Sequence, residues 1–194
     1  MNPSTDLRTD PIALYPALAQ VQPSLADLGA GPKAVAVAAK SAELRAMGVP
    51  APDVVVVERT GVGANWTAAG GWTDGEHRLG TSPEKDIGFP YRSALVPRRN
   101  AELDTAMMRH SWQSYLIATG QFAQWIDRGR PAPAHRRWAQ YLQWVADTVG
   151  MTVVRGEVER ITVAGGRLTP LDGVFGSDAI TLDKFVISGS SVGS

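Results

Sequence analysis

The sequence LADLGAGPKA occupies residues 25–34, with glycines at Gly29 and Gly31. Apolar and small residues continue from there to Met47, and Gly48 follows as the kind of glycine that commonly ends a helix. The pattern predicts a short strand, a tight turn and a helix of about fifteen residues.

A second strand is predicted where the chain has the sequence DVVVVE, at residues 53–58, after a loop marked by Pro50 and Pro52. A β-branched run of this length is typical of a strand that is buried on both faces of a sheet. A strand, a helix and a second buried strand close through a right-handed crossover. We therefore expect an α/β fold with a Rossmann-like parallel sheet.

The glycine pattern has a chemical use at the start of the helix. Gly29 allows the tight turn, Gly31 lets the backbone approach a pyrophosphate, and Ala34 keeps the helix close to the sheet. Pro32 fits the first turn because it lacks an N–H group that would have no partner there. The N–H groups at the helix start would face the phosphates. The pattern predicts dinucleotide binding, with a purely structural turn as the alternative.

Glu58 supports the dinucleotide interpretation, because a carboxylate at the end of the second strand can accept hydrogen bonds from both hydroxyl groups of an adenosine ribose. The alternative is a strand-end glutamate without a ligand. A ribose 2′-phosphate would be repelled by this carboxylate, so NAD or FAD is favoured over NADP at this position.

The rest of the chain contains further predicted elements. Residues 60–100 have neither a helical nor a strand period, and a loop of this length is usually functional. Ser111 is predicted to cap a helix that continues to about Asp127, and a second helix has an apolar face from Trp138 to Val149. The segments with strand character that follow are Met151–Val154, Val158–Val163, a weak segment broken by Pro170, and Lys184–Ile187.

Composition excludes several classes of protein. Nineteen basic residues balance nineteen acidic ones, so the chain lacks the positive charge that binds nucleic acid. The absence of cysteine excludes a disulfide scaffold, a thiolate metal site and a cysteine nucleophile. The three histidines are too scattered to predict a metal site. With no targeting or membrane-spanning segment evident, we expect a cytoplasmic protein.

The 194 residues are enough for one substantial core. Four prolines interrupt residues 1–24, which are predicted to be an irregular N-terminal tail, and residues 25–194 are predicted to form one domain. Asp27 disagrees with a buried first strand, so that strand is frayed, its carboxylate is paired, or the segment is not optimally built. Four tryptophans are interpreted as core side chains rather than as a stacking surface: Trp112, Trp125, Trp138 and Trp144.

Longer motifs follow the predicted strand-turn-helix-strand unit. They are Glu58-Arg59 followed by Trp66, Gly71-Trp72, RLGTSPEKDIGFPYRS at residues 78–93, Ser111-Trp112 with Tyr115-Leu116, and HRRWAQYLQWVA at residues 135–146. Together these motifs resemble the flavin-dependent N-hydroxylating monooxygenases of siderophore biosynthesis. The chain is similar above all to the lysine N6-hydroxylases of the mycobactin and nocobactin pathways, from about Leu25 to Glu159.

The resemblance implies an FAD-binding domain of the two-dinucleotide-binding flavoprotein type, with a parallel sheet, helices and a small antiparallel β-meander. It implies that Lys85 meets the carboxylate of an amino-acid substrate, whereas a solvated surface ion pair between Lys85 and Asp86 is the alternative. No catalytic residue and no metal ligand is assigned. The residues expected to bind the cofactor are Gly29, Gly31, Pro32, Lys33, Glu58, Arg59, Trp66 and Val158.

The activity implied by the resemblance is N6-hydroxylation of L-lysine with NADPH and O2. Members of the family are more than twice as long and have a second glycine-rich domain for NADPH, so we expect that domain to be absent from these 194 residues. The expected partners are the amino-acid substrate and O2, without nucleic acid or membrane, and a homo-oligomer is left open. The alternatives are a small FAD- or NAD-dependent reductase and a non-catalytic FAD-binding module.

Overall fold

The computed structural model describes residues 25–70, 73–90, 97–156, 160–164, 167–171 and 185–187. The predictions for the tail at residues 1–24 and for Val158 lie outside these residues. The described strands and α-helices follow in the order β1 (Leu25–Leu28), α1 (Pro32–Ala46), β2 (Val54–Glu58), α2 (Asn100–Met108), α3 (Trp112–Ala118), α4 (Phe122–Asp127), α5 (His135–Thr148), β3 (Thr152–Arg155), β4 (Arg160–Ala164), β5 (Arg167–Leu171) and β6 (Phe185–Ile187).

A parallel sheet with the strand order β3-β2-β1-β6 forms the frame of the fold. Leu28 lies opposite Val57, and Glu58 lies opposite Arg155, so the carboxyl ends of β1, β2 and β3 meet at one edge. Asp27 is fully buried and lies in register with Val56, which shows that β1 is not frayed. The predicted βαβ unit and parallel sheet are confirmed.

Small side chains let α1 pack closely on this sheet. Ala34 is fully buried and forms an apolar cluster with Ala30 and Val56. The helix ends as predicted: Met47 is its C-cap, and Gly48 follows in the left-handed region at a φ of 73°. The tight helix–sheet contact fixes the start of α1 relative to the end of β1.

A helical layer packs against the other side of α1 around α5. The side chains of Tyr141, Leu142 and Val145 are completely buried there. Trp112, Trp125 and Trp138 are buried in the same cluster, and Trp144 is partly buried against it. The interpretation of these tryptophans as core side chains is confirmed. None of the described helices is long and apolar enough to cross a bilayer.

The single helix predicted from Ser111 to Asp127 is wrong, because α3 and α4 are separate helices. Gly120 adopts a φ of 68° between them, and Gln121 donates a backbone hydrogen bond to the Leu116 carbonyl, which closes the first helix. Ser111 does cap α3 as predicted, since its side-chain oxygen accepts a hydrogen bond from the Ser114 amide.

One helix was not predicted, and one further prediction needs correction. The described part of the stretch 60–100 is irregular as expected, with only short 3-10 turns, whereas α2, which begins at Asn100, was not predicted. Its buried side chains are only Leu103, Ala106 and Met107, too few to give a clear helical period. Pro170 does not break its strand: it lies opposite Ile161 in the two-stranded antiparallel pair of β4 and β5, where an edge position tolerates the missing N–H group.

Candidate functional site

The turn after β1 needs glycine at its first position. Gly29 has a φ of 94°, in the left-handed region that other residues avoid, and its amide donates to the Val57 carbonyl at 2.8 Å. This hydrogen bond ties the turn to the end of β2. The chain is thereby directed into α1 directly above the edge of the sheet.

Gly31 differs from Gly29, because the protein itself does not require a glycine there. Gly31 has an ordinary φ of −80°, and a Cβ added to it meets no atom within 4 Å in the described part of the chain. It is the N-cap of α1, where no described side chain makes a capping hydrogen bond and no acidic residue occupies the first turn. Pro32 takes the first helical position, as predicted. The start of α1 therefore presents backbone N–H groups and a positive dipole end, and no described atom stands in front of Gly31.

Glu58 uses one carboxylate oxygen to hold the glycine turn and the other to hold the loop after β2. Its Oε2 accepts a hydrogen bond from the Ala30 amide at 2.8 Å, and its Oε1 accepts one from the Thr60 amide at 2.7 Å. The Gly61 amide donates to the same Oε1 at 3.3 Å. A carboxylate has further lone pairs beyond these bonds, so the ribose contact predicted for Glu58 remains chemically available.

The loop after β2 is also tied to the glycine turn. The Gly63 amide donates to the Ala30 carbonyl at 2.9 Å, and Gly63 has a φ of 68°. A Cβ on Gly63 would lie only 3.1 Å from the Ala139 Cα of α5, which is tighter than ordinary packing. This close approach positions the 3-10 turn Ala64–Trp66 beside the start of α5.

Trp66 lies against a histidine that sequence analysis did not assign to the site. The ring of His135 meets the Trp66 ring edge-on, with centroids 4.9 Å apart. The Nδ1 of His135 lies 3.2 Å from the Thr73 hydroxyl, which fixes the orientation of the imidazole. The signal for His135 was present in the motif at residues 135–146, but the motif does not indicate which side chain faces Trp66.

The segment before Lys85 covers the start of α5. The amides of His135 and Arg136 donate to the carbonyls of His77 and Gly75 at 2.7 and 2.9 Å. These bonds replace the side-chain cap that α5 lacks among the described residues. The segment that leads to Lys85 is thus fixed to the same helix end that carries His135.

Lys85 itself is exposed, and it takes part in none of the ion pairs of the described residues. The surface ion pair considered for Lys85 and Asp86 is wrong, because Asp86 is buried and its Oδ2 accepts a hydrogen bond from the Trp112 amide at 2.6 Å. Burial raises the pKa of Asp86 to about 6, against the opposing effect of the Trp112 amide and other backbone donors.

Tyr141 and Gly88 fix the backbone of the residues that follow Lys85. The Tyr141 hydroxyl accepts a hydrogen bond from the Ile87 amide at 2.9 Å and donates one to the His110 carbonyl at 2.7 Å. Burial raises the pKa of Tyr141, which keeps this hydroxyl protonated as a donor. A Cβ on Gly88 would lie 2.7 Å from the Met107 carbonyl oxygen, so only glycine fits. Lys85 therefore projects from a rigid segment.

The structure brings most of the predicted cofactor residues to one edge of the sheet. Lys33, in the first turn of α1, and Arg59, directly after β2, are exposed there. Trp66 is joined to the same edge through the hydrogen bond between Gly63 and Ala30. Lys85 belongs to a different segment, which is held by α3 and α5.

Comparison of the sequence with known proteins identifies close relatives. The chain is 81% identical over 142 residues to the L-lysine N6-monooxygenase MbtG of Mycobacterium sp. (strain MCS), and 74% identical over 147 residues to that of Mycobacterium tuberculosis (strain CDC 1551 / Oshkosh). These matches cover 73% and 76% of the chain but only 33% and 34% of the relatives. The chain thus spans about a third of the length of the curated relatives. No protein-family model matches it.

Solved structures give the same result for the fold. The lysine monooxygenase NbtG from Nocardia farcinica superimposes with a TM-score of 0.77 and 51% identity, over 86% of this chain and 41% of that one. The ornithine hydroxylase PvdA from Pseudomonas aeruginosa, at 23% identity and a TM-score of 0.61 over 86% of this chain and 38% of that one, shares the fold. The resemblance to the lysine N6-hydroxylases is confirmed over the matched residues, as is the flavoprotein type of fold.

Proposed function

We propose that this chain, which is homologous to the L-lysine N6-monooxygenases over about three quarters of its length, is the FAD-binding part of such an enzyme. The proposed reaction of the whole enzyme is the N6-hydroxylation of L-lysine with NADPH and O2, in the cytoplasm, for a mycobactin-like siderophore. The observation that carries the FAD assignment is the space at Gly31: nothing in the described part of the chain needs a glycine there, whereas a bound diphosphate does.

The residues at the sheet edge fit FAD in charge and in shape. The N–H groups at the start of α1 and its positive dipole end would hold the diphosphate, with the exposed ammonium of Lys33 beside them. Glu58 would accept the ribose hydroxyls while it keeps the Ala30 amide in place. Trp66 and His135 form an aromatic pair that would line the cofactor further along. Val158 is proposed to offer main-chain groups to the adenine.

Lys85 is proposed to bind the carboxylate of the amino-acid substrate. Its backbone is fixed by the Asp86, Ile87 and Gly88 contacts, so its side chain extends from a fixed point of the chain. A bound FAD would, after reduction by the nicotinamide, supply the activation of O2 that the hydroxylation requires. A carboxylate held at Lys85 would leave the distal N6 amine of the substrate free for hydroxylation.

The test of the cofactor is a titration of the 194-residue chain with FAD and, separately, with NAD. We expect saturable binding of FAD, seen as a change in flavin fluorescence and as heat in calorimetry, and much weaker binding of NAD. Failure of the chain to bind FAD, or tighter binding of NAD than of FAD, would contradict the proposal.

The substrate assignment needs a different comparison. We expect the FAD-loaded chain to bind L-lysine more tightly than cadaverine, which has the same amines but no carboxylate. Lys85→Gln should remove this preference without changing the affinity for FAD. Equal binding of the two ligands by the unmodified chain would contradict the role of Lys85 and leave the FAD assignment intact.

A further inference from the structure

A cavity of about 140 Å³ lies among α3, α4 and the start of α5, and it shares no described lining residue with the glycine turn. This volume exceeds the roughly 10–15 Å³ that one water molecule needs, so a small molecule fits. Its lining includes three arginines, two glutamines and two tryptophans: Arg78, Arg128, Arg137, Gln121, Gln124, Trp112 and Trp125.

The charged residues that line this cavity are all positive. Three guanidinium groups line it, and no aspartate or glutamate is among the lining residues in the described chain. The planar guanidinium group forms paired hydrogen bonds with the oxygens of carboxylates and phosphates. Three such groups around one small space repel each other unless an anion lies between them, so the lining selects for negative charge.

Two of the arginines are held in place, and one is not. Arg78 donates to the Ala132 carbonyl at 2.7 Å. Arg137 donates to the Gln121 side-chain oxygen at 2.6 Å and lies over the Tyr115 ring at 4.9 Å from its centroid. No described residue accepts a hydrogen bond from the Arg128 side chain. Arg128 therefore keeps its full donor capacity for a ligand.

A buried donor without a partner gives independent support. Trp112 is 2% exposed, and its Nε1 has no hydrogen-bond partner among the described residues. The neighbouring Trp125, which also lines the cavity, donates its Nε1 to the Pro131 carbonyl at 3.0 Å. A buried indole N–H group normally finds an acceptor. In this cavity, an anionic ligand would provide that acceptor for Trp112.

We propose that this cavity binds a small oxyanion, the phosphate or carboxylate group of a small molecule. The guanidinium groups neutralise the ligand, with Arg128 as the contributor that has no competing partner. The indole N–H group of Trp112 donates to one of the ligand oxygens. This site does not depend on the cofactor proposed for the glycine turn.

The test is a titration of the ¹⁵N-labelled full chain with inorganic phosphate and, separately, with acetate, at constant ionic strength. The indole cross-peak of Trp112 is assigned from Trp112→Phe, or by triple-resonance methods if that variant does not fold. We expect this cross-peak to shift saturably with at least one of the two anions. Saturation by phosphate alone identifies a phosphate ligand, and saturation by acetate alone identifies a carboxylate.

Two variants with the same change in net charge distinguish specific binding of the anion in the cavity from non-specific attraction of anions to the protein surface. Arg128→Gln should weaken the binding about tenfold, as expected for the loss of a charged donor. Arg130→Gln is the matched control: Arg130 pairs with Glu84 and does not line the cavity, so its loss should change the affinity by less than about twofold. No saturable shift with either anion, or equal weakening in both variants, would overturn the proposal.

Discussion

The carboxylate of Glu58 accepts a hydrogen bond from the amide of Ala30 at 2.8 Å, although 28 positions separate the two residues in the sequence. The other oxygen of the same carboxylate accepts from the Thr60 amide. One side chain thus joins the turn after β1 to the loop after β2. The geometry of the proposed diphosphate site depends on this connection.

Glu58→Gln is expected to weaken FAD binding about tenfold and to lower the free energy of unfolding by about 1–2 kcal/mol. The amide side chain keeps one acceptor oxygen but places an NH2 group against a backbone donor. Flavin fluorescence and urea denaturation measure the two effects. Glu84→Gln, which alters an exposed glutamate at the surface, is the control and should change neither. Unchanged FAD affinity in Glu58→Gln would count against the site.

Tyr141→Phe is expected to destabilise the protein by about 2–3 kcal/mol. The variant leaves the Ile87 amide and the His110 carbonyl without the hydroxyl that joins them in the core. Tyr115→Phe is the matched control, because no described hydrogen bond involves the hydroxyl of Tyr115, and it should change the stability by less than about 0.5 kcal/mol. Equal stabilities of the two variants in urea denaturation would show that the hydroxyl does not fix the segment.

Asp86 is expected to make the stability depend on pH between about pH 4 and pH 6. Its pKa is about 6 in the folded protein against the ordinary 3.8 of an aspartate side chain, so the folded state binds more protons in this window. The free energy of unfolding therefore falls as the pH rises through it, by up to about 3 kcal/mol from this group. Asp86→Asn can still accept from the Trp112 amide but does not titrate. Urea denaturation from pH 4 to pH 7 should show a smaller fall in the variant, and identical pH profiles would contradict the account.

Gly88→Ala is expected to cost about 3 kcal/mol, because its Cβ would press on the backbone of Met107 and Ser111. Gly80→Ala lies in the same segment, and its Cβ meets no atom within 4 Å among the described residues. The control should therefore retain its stability to within about 0.5 kcal/mol. Thermal denaturation of both variants provides the comparison. An unchanged stability of Gly88→Ala would show that the backbone after Lys85 can shift to make room for the methyl group.

The β1-α1-β2 unit could be predicted because its signals are local. The glycines of the turn, the helix-ending Gly48 and the run of valines each describe their own segment. The division between α3 and α4 was missed because a single glycine at position 120 does not by itself mark a helix end. Its left-handed backbone ends α3 together with the local hydrogen bond from the Gln121 amide to the Leu116 carbonyl.

The contacts that hold Lys85 could not be predicted in the same way. Tyr141 meets Ile87 across 54 positions, and Asp86 meets Trp112 across 26. The packing of α3 and α5 determines which residues meet, and this packing cannot be read from a single sequence. A surface position for Asp86 was the alternative considered from the sequence, because nothing local indicates that its carboxylate is buried and bound by the amide of a distant helix.

Gly31→Ala tests the central claim most directly, because Gly31 has an ordinary backbone conformation and no atom of the described residues lies within 4 Å of a Cβ there. The variant should fold with a free energy of unfolding within about 1 kcal/mol of that of the unmodified chain, because the smaller entropy of the unfolded chain is offset by alanine being a poorer N-cap than glycine. Its affinity for FAD in calorimetry should fall at least about tenfold, since the new methyl group occupies the place of the diphosphate. An alanine variant that binds FAD as tightly as the unmodified chain would contradict the account.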